Sequence, residues 1–415
     1  MATTYRPRVV DAQLARHLGG AGAVLIEGPK ACGKTTTASQ VAASAARFDR
    51  DPALRAAAEA APASLLDGAT PRLIDEWQLV PDVWNAIRAA VDDRGAPGQF
   101  ILTGSATPTD DITRHSGAMR FIRLTMRPMS LWESGLSKGT ASVDALWHGA
   151  PVPNQTDAPG LSAIAEAVCR GGWPATLDID LPFVLDLNDS HLRTIASADI
   201  VTVDGVRRDP RKVEALLRAL GRNTATYVSN RTLQADSAAF GEQIDPGTIA
   251  NYLDALTRVW VLAEQYAWGG HLRSSAPARK AAKRHLVDPS LAAAAMGIAP
   301  NDLLTDHETF GQLFESLVFR DVSVYAQASG LDVRAFHDAH DNEIDIVLVN
   351  GVEWAAIEVK LSSQPAVIDR AANALHAIAA RMTTTPRFLA IITATGPSYT
   401  RPDGVGVLAI THLAP

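Results

Sequence analysis

The chain has 415 residues, 47% hydrophobic and 20% charged, and 38 Lys and Arg against 45 Asp and Glu give a formal net charge of −7. This composition excludes collagen-like, disordered and disulfide-scaffold proteins, and two cysteines are too few for a cysteine-based zinc site. Because no stretch approaches the roughly 18 apolar residues of a membrane-spanning helix, we expect a soluble protein that does not enter a membrane. The low cysteine content favours the reducing cytoplasm.

Residues 1–137 alternate apolar runs of strand length with segments of helix length. The apolar runs are Ala23 to Ile26, Leu73 to Ile74 and Phe100 to Leu102. This alternation is typical of a parallel sheet covered by helices. We therefore predict an α/β domain over residues 1–137.

A complete G-x-x-x-x-G-K-T motif follows the predicted strand AVLIE and precedes the helix-forming segment TTASQVAASAA. This is the context of a P-loop, in which backbone N–H groups and the start of the helix face phosphate oxygens. We expect Lys34 to reach the β and γ phosphates of ATP and Thr35 to ligate Mg²⁺. The predicted nucleotide-binding residues are Gly28, Pro29, Lys30, Ala31, Cys32, Gly33, Lys34, Thr35 and Thr36.

Polar residues end the next two predicted strands. The run RLIDE ends in Asp75 and Glu76, and behind a P-loop this pair predicts a Walker B element. In such an element Asp75 holds Mg²⁺ and Glu76 polarises the attacking water. The strand QFILTGS ends in Thr103, Gly104 and Ser105, which puts the Thr103 hydroxyl where a γ-phosphate sensor is expected. The sequence thus predicts Mg²⁺-dependent ATP hydrolysis.

The middle of the chain is predicted to be a linker followed by helices. Residues 138–160 are rich in Ser, Gly, Pro, Asn and Asp, which favours a connection. Residues 161–300 are alanine-rich, and helices are expected to start at Asp209-Pro210 and Asp245-Pro246. The second of these helices leads into a strand-like segment, so we predict a winged-helix module.

A basic stretch lies beside the predicted wing. No acidic residue occurs from Gln265 to Val287, and a wing of this charge would suit contacts with the phosphates of DNA. A solvated loop is the alternative interpretation. The five basic residues are Arg273, Arg279, Lys280, Lys283 and Arg284.

Acidic residues in the last segment, residues 301–415, follow an ordered pattern. Glu315 lies in a predicted helix, Glu343-x-Asp345 begins one strand, and Glu358-Val359-Lys360 ends the next. This order and spacing resemble the core of the PD-(D/E)XK nucleases. The segment is therefore predicted to be a restriction-endonuclease-like α/β domain.

The nuclease pattern implies roles for its charged residues. Strand alternation puts Glu358 and Lys360 on one face, so Asp345 and Glu358 are expected to share Mg²⁺ while Lys360 orients the attacking hydroxide. Glu315 would complete the carboxylate cluster. One alternative is a solvated strand end with a Glu358–Lys360 charge pair, and another is a nuclease-like fold that does not cleave.

Several short segments of the chain together resemble one protein family. They are YRPRVVDAQL, the P-loop, RLIDEWQLVPDVW, GQFILTGSATP, RFIRLTMRPMSLWESG, GGWP and RHLVDPSLA. They are similar to prokaryotic AAA-type ATPases that carry a C-terminal PD-(D/E)XK nuclease-like domain of uncharacterised function. The resemblance covers nearly the whole chain and implies ATP-dependent action with a nucleic-acid connection.

AAA-type sites usually close between subunits, with an arginine of the neighbour stabilising the transferred phosphoryl group. The candidates are Arg114, Arg120 and Arg123, and we favour Arg120 because it lies in the family-like stretch SGAMRFIRL. The expected assembly is therefore a homo-oligomer.

Three functions stay open at this stage. The first is an ATP-driven enzyme in which the C-terminal domain processes DNA. The second is a nucleotide-dependent switch or binding module whose nuclease-like domain does not cleave. The third is an ATPase that acts on a protein partner.

Overall fold

A computed structural model describes residues 5–106, 117–270, 282–338, 340 and 342–415. The chain forms two compact units. Unit 1 comprises residues 1–128, 198–208 and 254–261, and unit 2 comprises residues 129–197, 209–253 and 262–415. The sequence predicts three domains and a linker. In the structure, most of the predicted helical region and all of residues 301–415 lie in unit 2, whereas residues 198–208 and 254–261 lie in unit 1.

The N-terminal part of unit 1 alternates strands and helices as the sequence predicts. Its elements are α1 (Val10–Leu18), β1 (Ala23–Glu27), α2 (Lys34–Val41), β2 (Ser44–Arg47), α3 (Pro52–Ala60), β3 (Arg72–Asp75), α4 (Val83–Arg94), β4 (Phe100–Gly104) and β5 (Phe121–Thr125). The strands form a sheet of order β2-β3-β4-β1-β5 in which every pair is parallel. The predicted α/β fold with a parallel sheet is confirmed.

The central strands β1, β3 and β4 of this sheet are mostly buried because helices cover both faces. Leu25 of β1 packs in one apolar cluster with Trp84 of α4, whereas Val24 and Ile26 pack in a second cluster with Leu14 of α1. Successive side chains of a strand point to opposite faces, which explains why a continuous apolar run is needed. The parallel arrangement brings the carboxyl ends of β1, β3 and β4 to one edge.

The middle of the chain is mainly helical. Its elements are α5 (Leu131–Ser134), β6 (Ala141–Ser142), α6 (Val143–Trp147), α7 (Leu161–Arg170), α8 (Leu181–Ser197), α9 (Pro210–Arg222), α10 (Asn230–Ala239) and α11 (Pro246–Arg258). Helix α9 begins where predicted, because the Asp209 side chain accepts a hydrogen bond from the Arg211 N–H and a proline follows it.

The rest of unit 2 combines helices with a mixed sheet. Its elements are β7 (Leu262–Gln265), β8 (Lys283–Leu286), α12 (Pro289–Met296), α13 (Pro300–Leu303), α14 (His307–Ala328), β9 (Asp332–His337), β10 (Glu343–Asn350), β11 (Glu353–Lys360), α15 (Pro365–Ala379), β12 (Leu389–Thr393), β13 (Tyr399–Thr400), β14 (Gly406–Ala409) and β15 (Leu413–Ala414). The larger sheet has the order β13-β14-β12-β11-β10-β9, and β7 pairs with β8 in a separate antiparallel sheet.

The predicted linker, residues 138–160, contains secondary structure and is bonded to the C-terminal end of the chain. Strand β6 pairs with β15, and Gln155 forms a bridge with Ser398 through two backbone hydrogen bonds of 2.8 and 2.9 Å. Turn-forming residues indicated a free connection, but the backbone groups of this segment have partners far along the chain. The segment therefore belongs to unit 2.

A buried ionic group connects α14 to the segment before α12. Arg320 donates to Asp288 at 2.8 Å and to its neighbour Asp321 at 2.7 and 2.9 Å, and all three side chains are buried. Asp288 also accepts the Gly172 N–H at 3.0 Å. This group ties the helical region to the C-terminal region within unit 2.

Among the helices that the structure describes, none is both long enough and apolar enough to cross a membrane.

Candidate functional site

The P-loop lies between the end of β1 and the start of α2. Gly33 has a φ of 102°, in the left-handed region that glycine favours, and directly precedes α2. A side chain at Gly28 would collide with the backbone oxygen of Met126, so the loop needs glycine there. Gly28 and Gly33 therefore make the tight turn of the predicted motif possible, because another residue at either position would be strained.

Lys34 and Thr35 open α2 beside the end of β3. The Lys34 Nζ donates to the backbone oxygens of Gly28 and Pro29 at 2.9 and 2.7 Å. The Thr35 hydroxyl donates to an Asp75 carboxylate oxygen at 2.7 Å. The structure thus places the Walker A lysine, the Walker A threonine and the first Walker B acid at one edge of the sheet.

The remaining P-loop residues occupy three kinds of environment. Pro29 and Cys32 are buried, and the Cys32 thiol lies 3.7 Å from the Met126 oxygen. Ala31 and Thr36 are exposed. Lys30 forms a 2.5 Å ion pair with the buried Asp199 of unit 1, a contact that was not predicted.

Glu76 is held by two side chains that the sequence did not single out as its partners. Gln78 donates to its carboxylate, and the Ser105 hydroxyl donates to it at 3.0 Å. The Thr103 hydroxyl donates to Asp75 and lies 3.4 Å from the Glu76 nitrogen. The ends of β3 and β4 therefore form one hydrogen-bonded network around the Walker B acids.

Arg120 lies away from the P-loop of its own chain. It directly precedes β5, at the amino edge of the sheet, and forms an exposed ion pair with Asp92 at 2.8 Å. The P-loop lies at the opposite, carboxyl edge of the sheet. The length of a five-residue strand, about 16 Å, separates the two edges. Arg123 contacts Glu27 at 2.8 Å, and Arg114 lies outside the described residues.

The predicted C-terminal acids do converge. Asp345 on β10 accepts the Val359 N–H of β11 at 2.8 Å, and Lys360 contacts Glu358 at 2.6 Å. Glu315 on α14 and Asp345 both contact the same side chain, that of Lys283. Strand alternation and the order of elements thus assemble the four residues that the sequence picked out.

Lys283 is the unpredicted centre of this cluster. Its Nζ lies 2.7 Å from Glu315, 2.6 Å from Glu343 and 3.5 Å from Asp345, and its side chain is 1% exposed. No group of three or more His, Cys, Asp or Glu side chains that could hold a metal ion is found in the described ranges. The carboxylates share a lysine ammonium instead.

The charges of the cluster shift its pKa values. Burial and the nearby Asp345 raise the pKa of Glu315 to about 8, against the influence of Lys283. Burial and Asp345 likewise raise the pKa of Glu358 to about 7, against the influence of Lys360. Burial lowers the pKa of Lys283, but the surrounding carboxylates outweigh it and raise the pKa well above its usual value. The carboxylates of the cluster are therefore buried close enough together to repel one another, and Lys283 and Lys360 only partly offset this effect on the pKa values of Glu315 and Glu358.

The predicted basic wing is not supported by the two of its residues that the structure describes. Lys283 is buried among carboxylates, and Arg284 donates to the Val228 oxygen at 3.1 Å and lies 3.7 Å from Glu264. Neither side chain is available to DNA, because acids distant in sequence pair with both. Arg273, Arg279 and Lys280 lie outside the described residues.

Family models match three consecutive parts of the chain. Residues 21–134 match the AAA domain, residues 161–302 match a domain of unknown function (DUF8612), and residues 310–413 match another (DUF4143). Residues 21–134 thus resemble an AAA domain, and this match supports ATP binding and hydrolysis.

The chain is also similar to two relatives and to solved structures at low sequence identity. The uncharacterized proteins Rv2008c of Mycobacterium tuberculosis and Mb2031c of Mycobacterium bovis are each 23% identical over 369 residues, covering 87% of this chain and 75% of the relative. The Walker-type ATPase paby2304 of Pyrococcus abyssi is 13% identical with a TM-score of 0.43, covering 71% of this chain and 99% of that chain. The RuvB Holliday junction branch migration motor of Thermotoga maritima is 19% identical with a TM-score of 0.29, and the match covers 62% of this chain and 88% of that chain.

Proposed function

We propose that this protein is a Mg²⁺-dependent ATPase whose hydrolysis is coupled to DNA binding or processing through a nuclease-like C-terminal domain. The observation that supports it most is the meeting of Lys34, Thr35, Asp75 and Glu76 at the carboxyl edge of one parallel sheet. This edge is where α/β proteins of this type bind their ligands.

The oxygen atoms present fit Mg²⁺, which prefers hydroxyl and carboxylate ligands. Thr35 and Asp75 would hold the ion, and the bound ion would neutralise charge on the phosphate oxygens. Lys34 would exchange the Gly28 and Pro29 oxygens for phosphate oxygens, which are stronger partners for an ammonium. Glu76 would leave Gln78 and Ser105 to orient the attacking water.

The position of Arg120 supports a shared active site. An arginine at the amino edge of β5 is too far from the P-loop of its own chain to contact the γ phosphate, but it can face a neighbouring subunit. We therefore propose a homo-oligomer in which Arg120 completes the site of the next subunit.

Mixing Arg120→Ala protein with Lys34→Ala protein is expected to restore ATP hydrolysis. At equal mixing, roughly a quarter of the head-to-tail interfaces combine an intact P-loop with an intact arginine. The measurement is steady-state hydrolysis by the mixture and by each variant alone. As the control, Lys34→Ala mixed with the Lys34→Ala/Arg120→Ala double variant should gain nothing. Activity no higher than that of the separate variants would refute Arg120 as a shared residue.

The arrangement of unit 2 supports the coupling to DNA. Helix α14, the antiparallel strands β9, β10 and β11, helix α15 and the parallel strand β12 follow the order expected of the nuclease-like core. Helices α9, α10 and α11 precede the antiparallel pair β7–β8, which is the order of a winged helix. Both folds recur in DNA-acting proteins, although a fold does not by itself assign an activity.

One observation favours a second candidate, a nucleotide-dependent binding module that does not cleave. Lys283 lies among three carboxylates of the nuclease-like site, where a divalent ion would be needed for phosphodiester hydrolysis. A lysine at this position favours a domain that has the nuclease-like fold but does not hydrolyse phosphodiesters.

Purified protein with plasmid and oligonucleotide DNA, with and without ATP, Mg²⁺ and Mn²⁺, separates the candidates. DNA cleavage by the wild type but not by Lys360→Ala would support processing. Salt-sensitive DNA binding without cleavage would support the binding module. Absence of any DNA effect on binding or on ATP hydrolysis would contradict the coupling and leave an ATPase that acts on a protein partner.

A further inference from the structure

We propose that the cation of the C-terminal carboxylate cluster is the ammonium of Lys283, which takes the place of a divalent metal ion. The carboxylate cluster consists of Glu315, Glu343, Asp345 and Glu358. The proposal deepens the second candidate above and rests on the nuclease-like arrangement of unit 2, whereas it is independent of ATP hydrolysis in unit 1.

The distances place Lys283 where three carboxylates converge. Its Nζ contacts Glu315 and Glu343 at 2.7 and 2.6 Å, and the nearer Asp345 oxygen lies at 3.5 Å. The other Asp345 oxygen accepts the Val359 N–H. An ammonium that donates to acids from a helix and from a strand joins the elements that a metal joins in a hydrolytic site.

The strand pair β7–β8 fixes this lysine in position. Lys283 pairs with Gln265 across the two strands, and the Gln265 amide donates to the backbone oxygens of Asp345 and Arg334 at 2.8 Å each. These hydrogen bonds hold the strand pair, and with it Lys283, next to Asp345 on β10. Because the Lys283 side chain is 1% exposed, it cannot swing into solvent without separating the strand pair from the sheet.

The second lysine leaves little freedom for a metal. Lys360 contacts the remaining acid, Glu358, at 2.6 Å, so each of the four carboxylates faces an ammonium. A divalent ion between Asp345 and Glu358 would lie close to the positive charges of Lys360 and of the buried Lys283, and like charges repel strongly at a poorly solvated site. Removal of the Lys283 charge should reverse this preference, since four acids with one lysine attract a cation.

The test measures Mn²⁺ binding to the full-length protein without nucleotide. Titration calorimetry gives the affinity and stoichiometry, and thermal unfolding with and without Mn²⁺ gives the change in the midpoint. The wild type is expected to show no Mn²⁺ binding that Asp345→Asn removes. Lys283→Met is expected to bind one Mn²⁺ per chain and to gain thermal stability with Mn²⁺ by mass action. The double variant Lys283→Met/Asp345→Asn should lose both effects, and Lys138→Met, at an exposed lysine of the same unit, should resemble the wild type.

Two results would overturn the proposal: Mn²⁺ binding by the wild type that depends on Asp345, or a folded Lys283→Met protein that binds no Mn²⁺. If Lys283→Met does not fold, comparison of the wild type with Asp345→Asn still decides whether a metal occupies the cluster. Lys283→Arg keeps the charge and should stay free of metal. ATP hydrolysis is measured on the same samples, so failure of the proposed ATPase function is distinguishable from failure of this inference.

Discussion

Replacing Glu76 with Gln is expected to lower ATP turnover by about 10²–10⁴-fold, the usual contribution of a positioned base. The substitution keeps the size of the side chain and its hydrogen-bonding capacity, so nucleotide binding should persist. Lys34→Ala should instead weaken binding, because the ammonium that would contact the phosphates is lost. The measurements are steady-state hydrolysis and equilibrium binding of a fluorescent nucleotide.

The contrast between these two variants separates a Walker B role from a general loss of structure. Glu59→Gln is the matched control, since Glu59 lies in the same unit and forms an exposed pair with Arg55. It should hydrolyse ATP like the wild type. Turnover that survives in Glu76→Gln would contradict the assignment of Glu76 and leave Asp75 as the remaining Walker B acid.

Replacing Arg320 with Met is expected to destabilise unit 2 by about 3–5 kcal/mol, the usual effect of removing one partner from a buried ionic group. Asp288 and Asp321 would lose their shared cation while staying buried. At roughly 2–4 °C per kcal/mol for a unit of this size, the thermal midpoint should fall by roughly 6–20 °C.

The control for this prediction is Arg193→Met. Arg193 forms an exposed pair with Asp189 on α8, and such a pair contributes about 0–1 kcal/mol. Scanning calorimetry on both variants compares the midpoints directly. An Arg320→Met protein that unfolds at the wild-type temperature would show that the buried group does not stabilise unit 2.

The residues of the proposed nucleotide site could be predicted to lie together because most of them belong to one short segment of the chain. The P-loop needs glycines, a lysine and a threonine in one short run between a strand and a helix, and all of them lie between Gly28 and Thr35. The Walker B acids follow the next apolar strand, and parallel strands bring their carboxyl ends to the same edge. Periodicity therefore places Asp75 near Thr35 without knowledge of the fold.

The environment of these residues was decided by the tertiary structure. Glu76 is held by Ser105, which is 29 positions away, and Lys30 by Asp199, which is 169 positions away. Residues 138–160 have the composition of a linker but pair with the last strand of the chain. Turn-forming residues signal the local conformation of a backbone and carry no information about distant partners.

The position of Lys283 among the carboxylates could not be predicted from the sequence. In a stretch without acids, a lysine indicates a basic surface, and its partners Glu315 and Asp345 lie 32 and 62 positions away. The order and alternation of the strands determined that Asp345, Glu358 and Lys360 share a site. Only the folded chain decides which cation lies among the acids, because the charge that a carboxylate faces depends on which strands pack together.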